Sequence, residues 1–408
     1  GADGGPPLPP SRRGMAPTTA NPVPVTSRVL VVGSINVDLY QKLAASSIQL
    51  DGKPVNVGPI KGMTLPAKSF VEHEGVAPQL LEAGLACAAG EEEALVLKMA
   101  PPFEQKTGGK GANAAAAAGQ TLGCELVCQF GRASAAANAM LLSDLQTYGG
   151  VDTSRSRTVE GPTGTAYILL FEDNDNGILL LGGANQSWEP PPLASEGSAL
   201  RQAIAESSVV MLQREIPEYV NVEVARAARE LGRPVFMDVG GTDAPLDAGL
   251  VPYISVIAPN ETELTFISGV ETAEGGSTSQ ARVRAAVAAL RARFAAGGNT
   301  SVEVLVTLGQ HGCVHFGPEW AEGAAPDAAG RVPHETGMGS FPLATEDGRP
   351  RDTTGAGDCF RGCFAAARYG EGKSLREALR WAAAAGSLAV EVHGAMPSMP
   401  TREAIQAR

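Results

Sequence analysis

No apolar stretch in the 408-residue sequence is long enough to cross a bilayer as a helix, so a membrane-spanning protein is not expected. Positive charge is in short supply: 44 Asp and Glu outnumber 32 Lys and Arg, for a formal net charge of −12. Such an acidic chain argues against nucleic acid or an anionic membrane as the main partner, and an anionic substrate would have to find positive charge concentrated locally. Cys-x-x-Cys pairs are missing. The six cysteines, Cys87, Cys124, Cys128, Cys313, Cys359 and Cys363, are scattered, as expected of reduced thiols in a reducing compartment. Clusters of metal ligands are nearly missing too: His311, Cys313 and His315 alternate so as to share one face of a strand, but no fourth ligand stands nearby. Acids are scarce in Gly1–Arg28, where Asp3 stands alone beside three Arg in a background of Pro, Ala, Gly and Thr. That segment cannot build a core and is expected to be disordered. It is either a transit-peptide remnant or an added terminus, and it favours a plastid stroma over the cytoplasm as the setting.

What is present, with 44% hydrophobic residues, is the composition of a globular protein. Val29–Val32 ended by Gly33 reads as a short buried parallel strand. From Gln41 to Phe103 no period stands out; Pro, Gly and charged residues are mixed, with a weak helical patch near 80–88. Ala112–Leu122 is Ala-rich and helical, and Leu126–Phe130 reads as a strand. Thr165–Phe171 and Ile178–Leu181 flank the turn-rich Asp173–Gly177 as a hairpin. Beyond it, strands at Val209–Leu212, Pro234–Val239, Ile254–Ala258 and Val302–Thr307 alternate with helices at Glu218–Leu231 and Arg282–Ala296. This alternation predicts an α/β fold, a doubly wound and mostly parallel sheet flanked by helices, with ligands bound beyond the carboxyl ends of the strands. Gly317–Arg351 reads as a surface insertion, and a helix is expected from the capping box Ser374–Glu377.

The motif richest in chemistry is Asp352-Thr353-Thr354-Gly355-Ala356-Gly357-Asp358. Phe360, Cys363, Phe364 and Ala367 follow it at helical spacing, so a helix begins near Gly357. Small residues at 355–357 let a ligand approach the backbone, and free N–H groups at a helix start form an anion site. In that first turn Asp358 can take a proton from a hydroxyl, or it can merely cap the helix. A dinucleotide site fits poorly, because a third Gly is missing at 360 and the Asp would repel a pyrophosphate. Gly108-Gly109-Lys110-Gly111-Ala112-Asn113 leads into a second helix. It is not a P-loop, since Glu104 holds the place of the first Gly and Gly111 follows the Lys. It suits polyol hydroxyls, or it is only a glycine turn. Asn36 and Asp38 alternate onto one face after the first strand, a pairing suited to neighbouring sugar hydroxyls or to an Asx turn. Asn260-Glu261-Thr262-Glu263 at a strand end can hold Mg²⁺ through water, or start a helix.

The order and spacing of these segments resemble the ribokinase-like (PfkB) family of carbohydrate kinases over about Arg28 to Ala407. Gly108–Asn113 is similar to its first signature and Asp352–Phe364 to its second; Gly183-Ala184-Asn185, Gln213-Arg214-Glu215 and Thr307–Gly312 follow in the family's order. The resemblance implies one kinase domain over 29–408, with lid elements and an unusually long insertion within about 39–107, a lid hairpin at about 165–185 and a surface insertion at about 317–350. It implies a small β-sheet lid that also forms a homodimer interface.

The resemblance also implies ATP-dependent phosphorylation of D-ribose at its 5-hydroxyl. Asn36, Asp38, Gly108, Gly109, Lys110, Asn113 and Glu215 would bind the sugar, with Asp358 as base and Gly355, Ala356 and Gly357 as anion hole. Asn260, Thr307, Gly309, Gly312 and Gly357 would bind ATP, and Glu263 would organise Mg²⁺. A K⁺ site would draw on Asp352, Thr354, Ala389, Val392, Gly394 and Ser398. The rival readings are a sister kinase for adenosine, another nucleoside or fructose, a non-catalytic sugar-binding regulator, and an oxidoreductase that lacks its glycine fingerprint.

Overall fold

A computed structural model describes residues 27–408 apart from 44–45, 62, 86, 101–102, 173–175, 243 and 329. Nearly all of the N-terminal segment, and the middle of the turn-rich loop Asp173–Gly177, therefore lie outside the described residues. No described helix is long and apolar enough to cross a membrane.

An eight-stranded sheet forms the frame. Its order is Glu335–Met338, Cys313–Phe316, Glu303–Thr307, Val256–Ile257, Val235–Met237, Val209–Leu212, Val29–Val32 and Cys124–Val127. The six strands from Glu303–Thr307 to Cys124–Val127 run parallel, and the last two on the other edge are antiparallel. Val29–Val32 is buried throughout because its side chains alternate between two cores. Val29 and Val31 pack with the helices Lys110–Thr121, Ala356–Ala365 and Leu375–Ala389. Leu30 and Val32 pack with Glu218–Glu230 and Gln280–Ala296 on the opposite face. The doubly wound architecture is as expected.

A second, five-stranded sheet is the lid. Its order is Thr64–Pro66, Asn176–Leu181, Gly164–Leu170, Asn36–Lys42 and Glu104–Gly108. Alternation again divides its side chains. Ala166, Ile168, Ile178 and Leu180 line a cleft between lid and frame. Tyr167, Leu169, Leu179 and Leu181 point the other way, into a third apolar core.

That third core corrects the reading of the aperiodic stretch. Its described residues form a hairpin (Ser47–Leu50 with Lys53–Asn56) and short helices at Ala67–Glu72, Ala77–Glu82 and Glu92–Val96. Ile48, Leu50, Val55, Phe70, Leu80 and Val96 pack onto the outer lid face. Elements of four to six residues are too short to display a period. Residues 317–351 are also more than a surface insertion, because Glu335–Met338 extends the main sheet. With Thr336 as its one β-branched residue, that strand is hard to see in the sequence. Helices Ala135–Gly149 and Ala199–Glu206 were not anticipated either.

Candidate active site

The chain turns sharply before the helix Ala356–Ala365. Gly355 has φ 75°, and a Cβ there would sit 2.7 Å from that of Ala395, so the turn needs glycine for both conformation and space. The start of this helix faces the cleft, which Gly355, Gly357 and Asp358 line, while the Ala356 N–H donates to the Thr353 carbonyl at 3.2 Å. Asp358 is only 6% exposed. Its Oδ1 accepts from Lys110 Nζ at 3.2 Å and its Oδ2 from Asn113 Nδ2 at 3.0 Å. Both donors stand on the helix Lys110–Thr121, whose alanines let the two helices pack closely; a Cβ at Gly362 would overlap the Ala114 carbonyl. Asn113 Oδ1 is buried without a partner, an acceptor open to a ligand hydroxyl.

Of the residues expected to bind the sugar, Asn36 and Asp38 stand on the strand Asn36–Lys42 of the five-stranded sheet. Asn36 and Asp38 are both buried and line the same cleft. Asn36 Oδ1 accepts from Asn185 Nδ2 at 2.7 Å. The Asp38 carboxylate lies over Gly108, where any Cβ would overlap it. Burial, then the charges of Glu215 and Asp358, push the Asp38 carboxyl well above the usual carboxylate range. Glu215 also lines the cleft, but its Oε2 accepts from Ser34 Oγ at 2.6 Å and from the Lys110 backbone N–H at 3.0 Å. It thus holds the glycine turn as well as facing the ligand space. Burial raises its pKa against the opposing pull of Ser34 and Lys110.

Two further charged residues escaped the sequence reading. Asp238, beyond the strand Val235–Met237, accepts through Oδ2 from Lys110 Nζ at 3.1 Å and from Arg361 Nη1 at 3.2 Å. Burial would raise its pKa, but the Arg361 and Lys110 cations outweigh that and hold it below the ordinary value. Burial would likewise favour a neutral Lys110, yet Asp238 and Asp358 keep its pKa above that of an ordinary lysine. These two cations, Lys110 and Arg361, are matched by the carboxylates they pair with, Asp238, Glu263 and Asp358, so the concentrated positive charge expected for an anionic substrate is not found at this cluster.

Of the residues expected at the nucleotide, Asn260 and Glu263 form a capping box at the start of Glu261–Ser268. Glu263 Oε2 accepts from the Asn260 N–H at 2.8 Å and from Arg361 Nη2 at 3.0 Å. Its Oε1 reaches the space left by the absent side chain of Gly240 and has no hydrogen-bond donor among the described residues. A carboxylate with one oxygen anchored and one free at a polar cleft suits a hydrated Mg²⁺. Asn260, Thr262 and Glu263 line the cleft. Thr307, Gly309 and Gly312 do not; they form the next strand end and its turn, where the Thr307 N–H donates to the Pro259 carbonyl at 3.0 Å. The cleft measures ≈ 620 Å³.

The proposed K⁺ ligands lie on two adjoining segments. Asp352 Oδ1 accepts from the Thr354 N–H at 2.9 Å and Oδ2 from the Gly394 N–H at 2.8 Å. Burial would raise the Asp352 pKa, but those N–H groups lower it below the ordinary value. Ala389 and Ser398 are buried beside these segments, while Val392 is exposed. A carboxylate and backbone carbonyls are oxygen donors of the kind a hard cation takes, but both Asp352 oxygens already accept N–H groups and the Ala389 carbonyl accepts from the Val392 N–H at 3.3 Å.

His311, Cys313 and His315 do not form a metal site. His311 belongs to the turn Gly309–His311, His315 pairs with Glu303, and no cluster of three or more His, Cys, Asp or Glu suited to a metal occurs among the described residues.

Comparisons with known proteins agree with this geometry. The model of the family described as "pfkB family carbohydrate kinase" matches residues 86–402. A ribokinase of Arabidopsis thaliana is 36% identical over 305 residues, 73% of this chain and 70% of the relative. A ribokinase of Bacillus subtilis is 30% identical over 304 residues, 74% of this chain and 88% of the relative. Among solved structures, Arabidopsis thaliana ribokinase complexed with ribose and ATP superposes with a TM-score of 0.67 at 30% identity, covering 94% of this chain and 98% of that one. Ribokinase from Cryptococcus neoformans in complex with ADP gives 0.63 at 25% identity, covering 94% and 99%.

Proposed function

The chain belongs to the pfkB family of carbohydrate kinases, and from that premise we propose that it transfers the γ-phosphoryl group of ATP to the 5-hydroxyl of D-ribose, giving D-ribose 5-phosphate and ADP. One observation carries the reading. A carboxylate (Asp358), a cation (Lys110) and the N–H groups of a helix start converge on a cleft that Asn36, Asp38 and Asn113 also line. The base and the phosphate-binding groups thus share a cleft with hydroxyl-binding groups.

Ribose docks with ring hydroxyls on Asp38, Asn36 and the free Oδ1 of Asn113. Asp358 accepts the proton of the 5-hydroxyl as that oxygen attacks the γ-phosphorus in line. Lys110 and the N–H groups at Gly355–Gly357 offset the charge on the transferred group. Closure of the lid keeps water out and limits ATP hydrolysis. Asn260, Thr307, Gly309 and Gly312 are assigned to ATP. Mg²⁺ would be held through Glu263 and would neutralise phosphate charge. K⁺ would be held by Asp352, Thr354, Ala389, Val392, Gly394 and Ser398 and would stiffen the anion-hole turn. A homodimer would form through the lid, and the layer that described residues between 43 and 103 lay over the sheet's outer face would then belong to its interface.

The test is ADP release from MgATP with D-ribose, 2-deoxyribose, fructose, adenosine or no sugar, each in K⁺ and in Na⁺. Turnover with ribose, enhanced by K⁺, is expected. Turnover with adenosine or fructose alone would move the specificity to a sister kinase, and none with any of them would leave a sugar-binding protein.

A further inference from the structure

Arg361 belongs to neither signature role assigned above, yet it is 3% exposed, lines the cleft and spends all three of its nitrogens. Nε donates to the Ala258 carbonyl at 2.9 Å, Nη1 to Asp238 at 3.2 Å and Nη2 to Glu263 at 3.0 Å. These acceptors lie beyond the strands Val235–Met237 and Val256–Ile257 and on the helix Glu261–Ser268. The arginine itself stands one turn after Gly357, close enough that a Cβ on Gly357 would lie 2.9 Å from Nη1. One guanidinium therefore ties the helix that carries Asp358 to three other points around the phosphate path.

Its bond to Glu263 has a directional consequence. Arg361 and the Asn260 N–H both donate to Oε2, leaving Oε1 to the cleft. Without Arg361, the backbone N–H alone would orient that carboxylate, and Asp238, Glu263 and Asp358 would share Lys110 as their nearby cation. A lysine could replace the charge but not three donors fixed in one plane.

Building on the kinase reading, we propose that Arg361 is a positioning residue for the metal–nucleotide complex, holding Glu263 with one oxygen free for the hydrated divalent cation. Its partners act as a unit: Asp238 fixes Arg361 on one side and Lys110 on the other.

The test uses the full chain with Arg361→Lys and Arg361→Gln, and Mn²⁺ as the probe. Free Mn²⁺ is followed by electron paramagnetic resonance in the presence of ADP, alongside the Mg²⁺ dependence of the initial rate and the KM for ribose. Removing a partner that orients a metal ligand typically weakens metal affinity about 10–100-fold. A loss of that size is expected in both variants, with the ribose KM changed by less than about twofold, since Arg361 reaches the sugar-binding Lys110 only through Asp238. Arg361→Lys keeps the buried charge balanced and decides the matter if Arg361→Gln does not fold. In a Glu263→Gln background, Arg361→Lys should cost no further Mn²⁺ affinity. Unchanged Mn²⁺ affinity in the folded lysine variant, or an equal further loss in the Glu263→Gln background, would overturn the proposal. The Mn²⁺ titration needs no turnover, so an inactive wild type would fail the ribose reading without deciding this one.

Discussion

Asn113 Nδ2 donates to Asp358 Oδ2 at 3.0 Å across a sequence separation of 245 residues, joining the two signature motifs. With Lys110 on its other oxygen, Asp358 is held by both ends in a fixed orientation. Asp358→Asn preserves the shape but removes the proton acceptor. Its kcat should fall by about 10²–10⁴-fold, the usual worth of a general base, while calorimetric ribose affinity stays within a few-fold of wild type. Near-normal kcat in this variant would rule Asp358 out as the base.

The Asp38 carboxyl titrates well above the usual range because it is buried beside Glu215 and Asp358. A raised folded-state pKa means the folded protein binds this proton more tightly than the unfolded chain does. The contribution to stability is therefore complete at low pH and is lost as pH rises through the folded-state value. Sugar binding runs the opposite way, because only the ionised carboxylate accepts from two hydroxyls. The ribose KM should fall as pH rises through the folded-state value, and Asp38→Asn should raise it and flatten the dependence. An unaltered pH profile in that variant would exclude Asp38 as the titrating group.

Leu179 is fully buried where the lid meets the layer formed by residues 43–103. Leu179→Ala should lower unfolding free energy by about 2–5 kcal/mol, measured by denaturant titration. Because this outer face is occupied, a lid dimer would have to use the outer layer, and light scattering should find a dimer that dissociates when exposed residues of that layer are mutated. A chain monomeric across the assay range would contradict that picture.

Asp352 ties the Thr354 and Gly394 backbones together beside the anion-hole turn. Asp352→Ala should abolish the difference between rates in K⁺ and in Na⁺, settling near the lower of the two. A variant that kept the full K⁺ response would remove this loop from cation binding.

Residues whose placement depends on a local pattern were readable in the sequence. Gly355, Gly357 and Asp358 declare a helix start, and Asn36 and Asp38 share a face because a strand repeats every two residues. Asp238 and Arg361 carry no such mark. One follows a short apolar strand and the other sits inside a helix, and their partnership spans 123 residues. Only the packing of two helices and two strand ends brings them together. The outer lid layer was hidden for a different reason: its pieces gain their stability from a shared core rather than from amphipathic repeats of their own. Glu215 was recognised as a cleft residue, but its second task, holding Ser34 and the Lys110 backbone, could be seen only once the fold was known.

The outer layer enters and leaves through neighbouring antiparallel strands, with Tyr40 opposite Glu104 and Asn36 opposite Gly108. For the pairing of Asn36–Lys42 with Glu104–Gly108 it is a detachable module, since a short turn joining Lys42 to Phe103 would keep that register, although Thr64–Pro66, an edge strand of the same sheet that lines the cleft, would go with it. For the side chains it is not, because Tyr167, Leu169, Leu179 and Leu181 would be left facing water. Trimming this chain to a minimal enzyme is thus a surface-redesign problem rather than a loop-closure problem, and those four positions are where polar replacements would have to go.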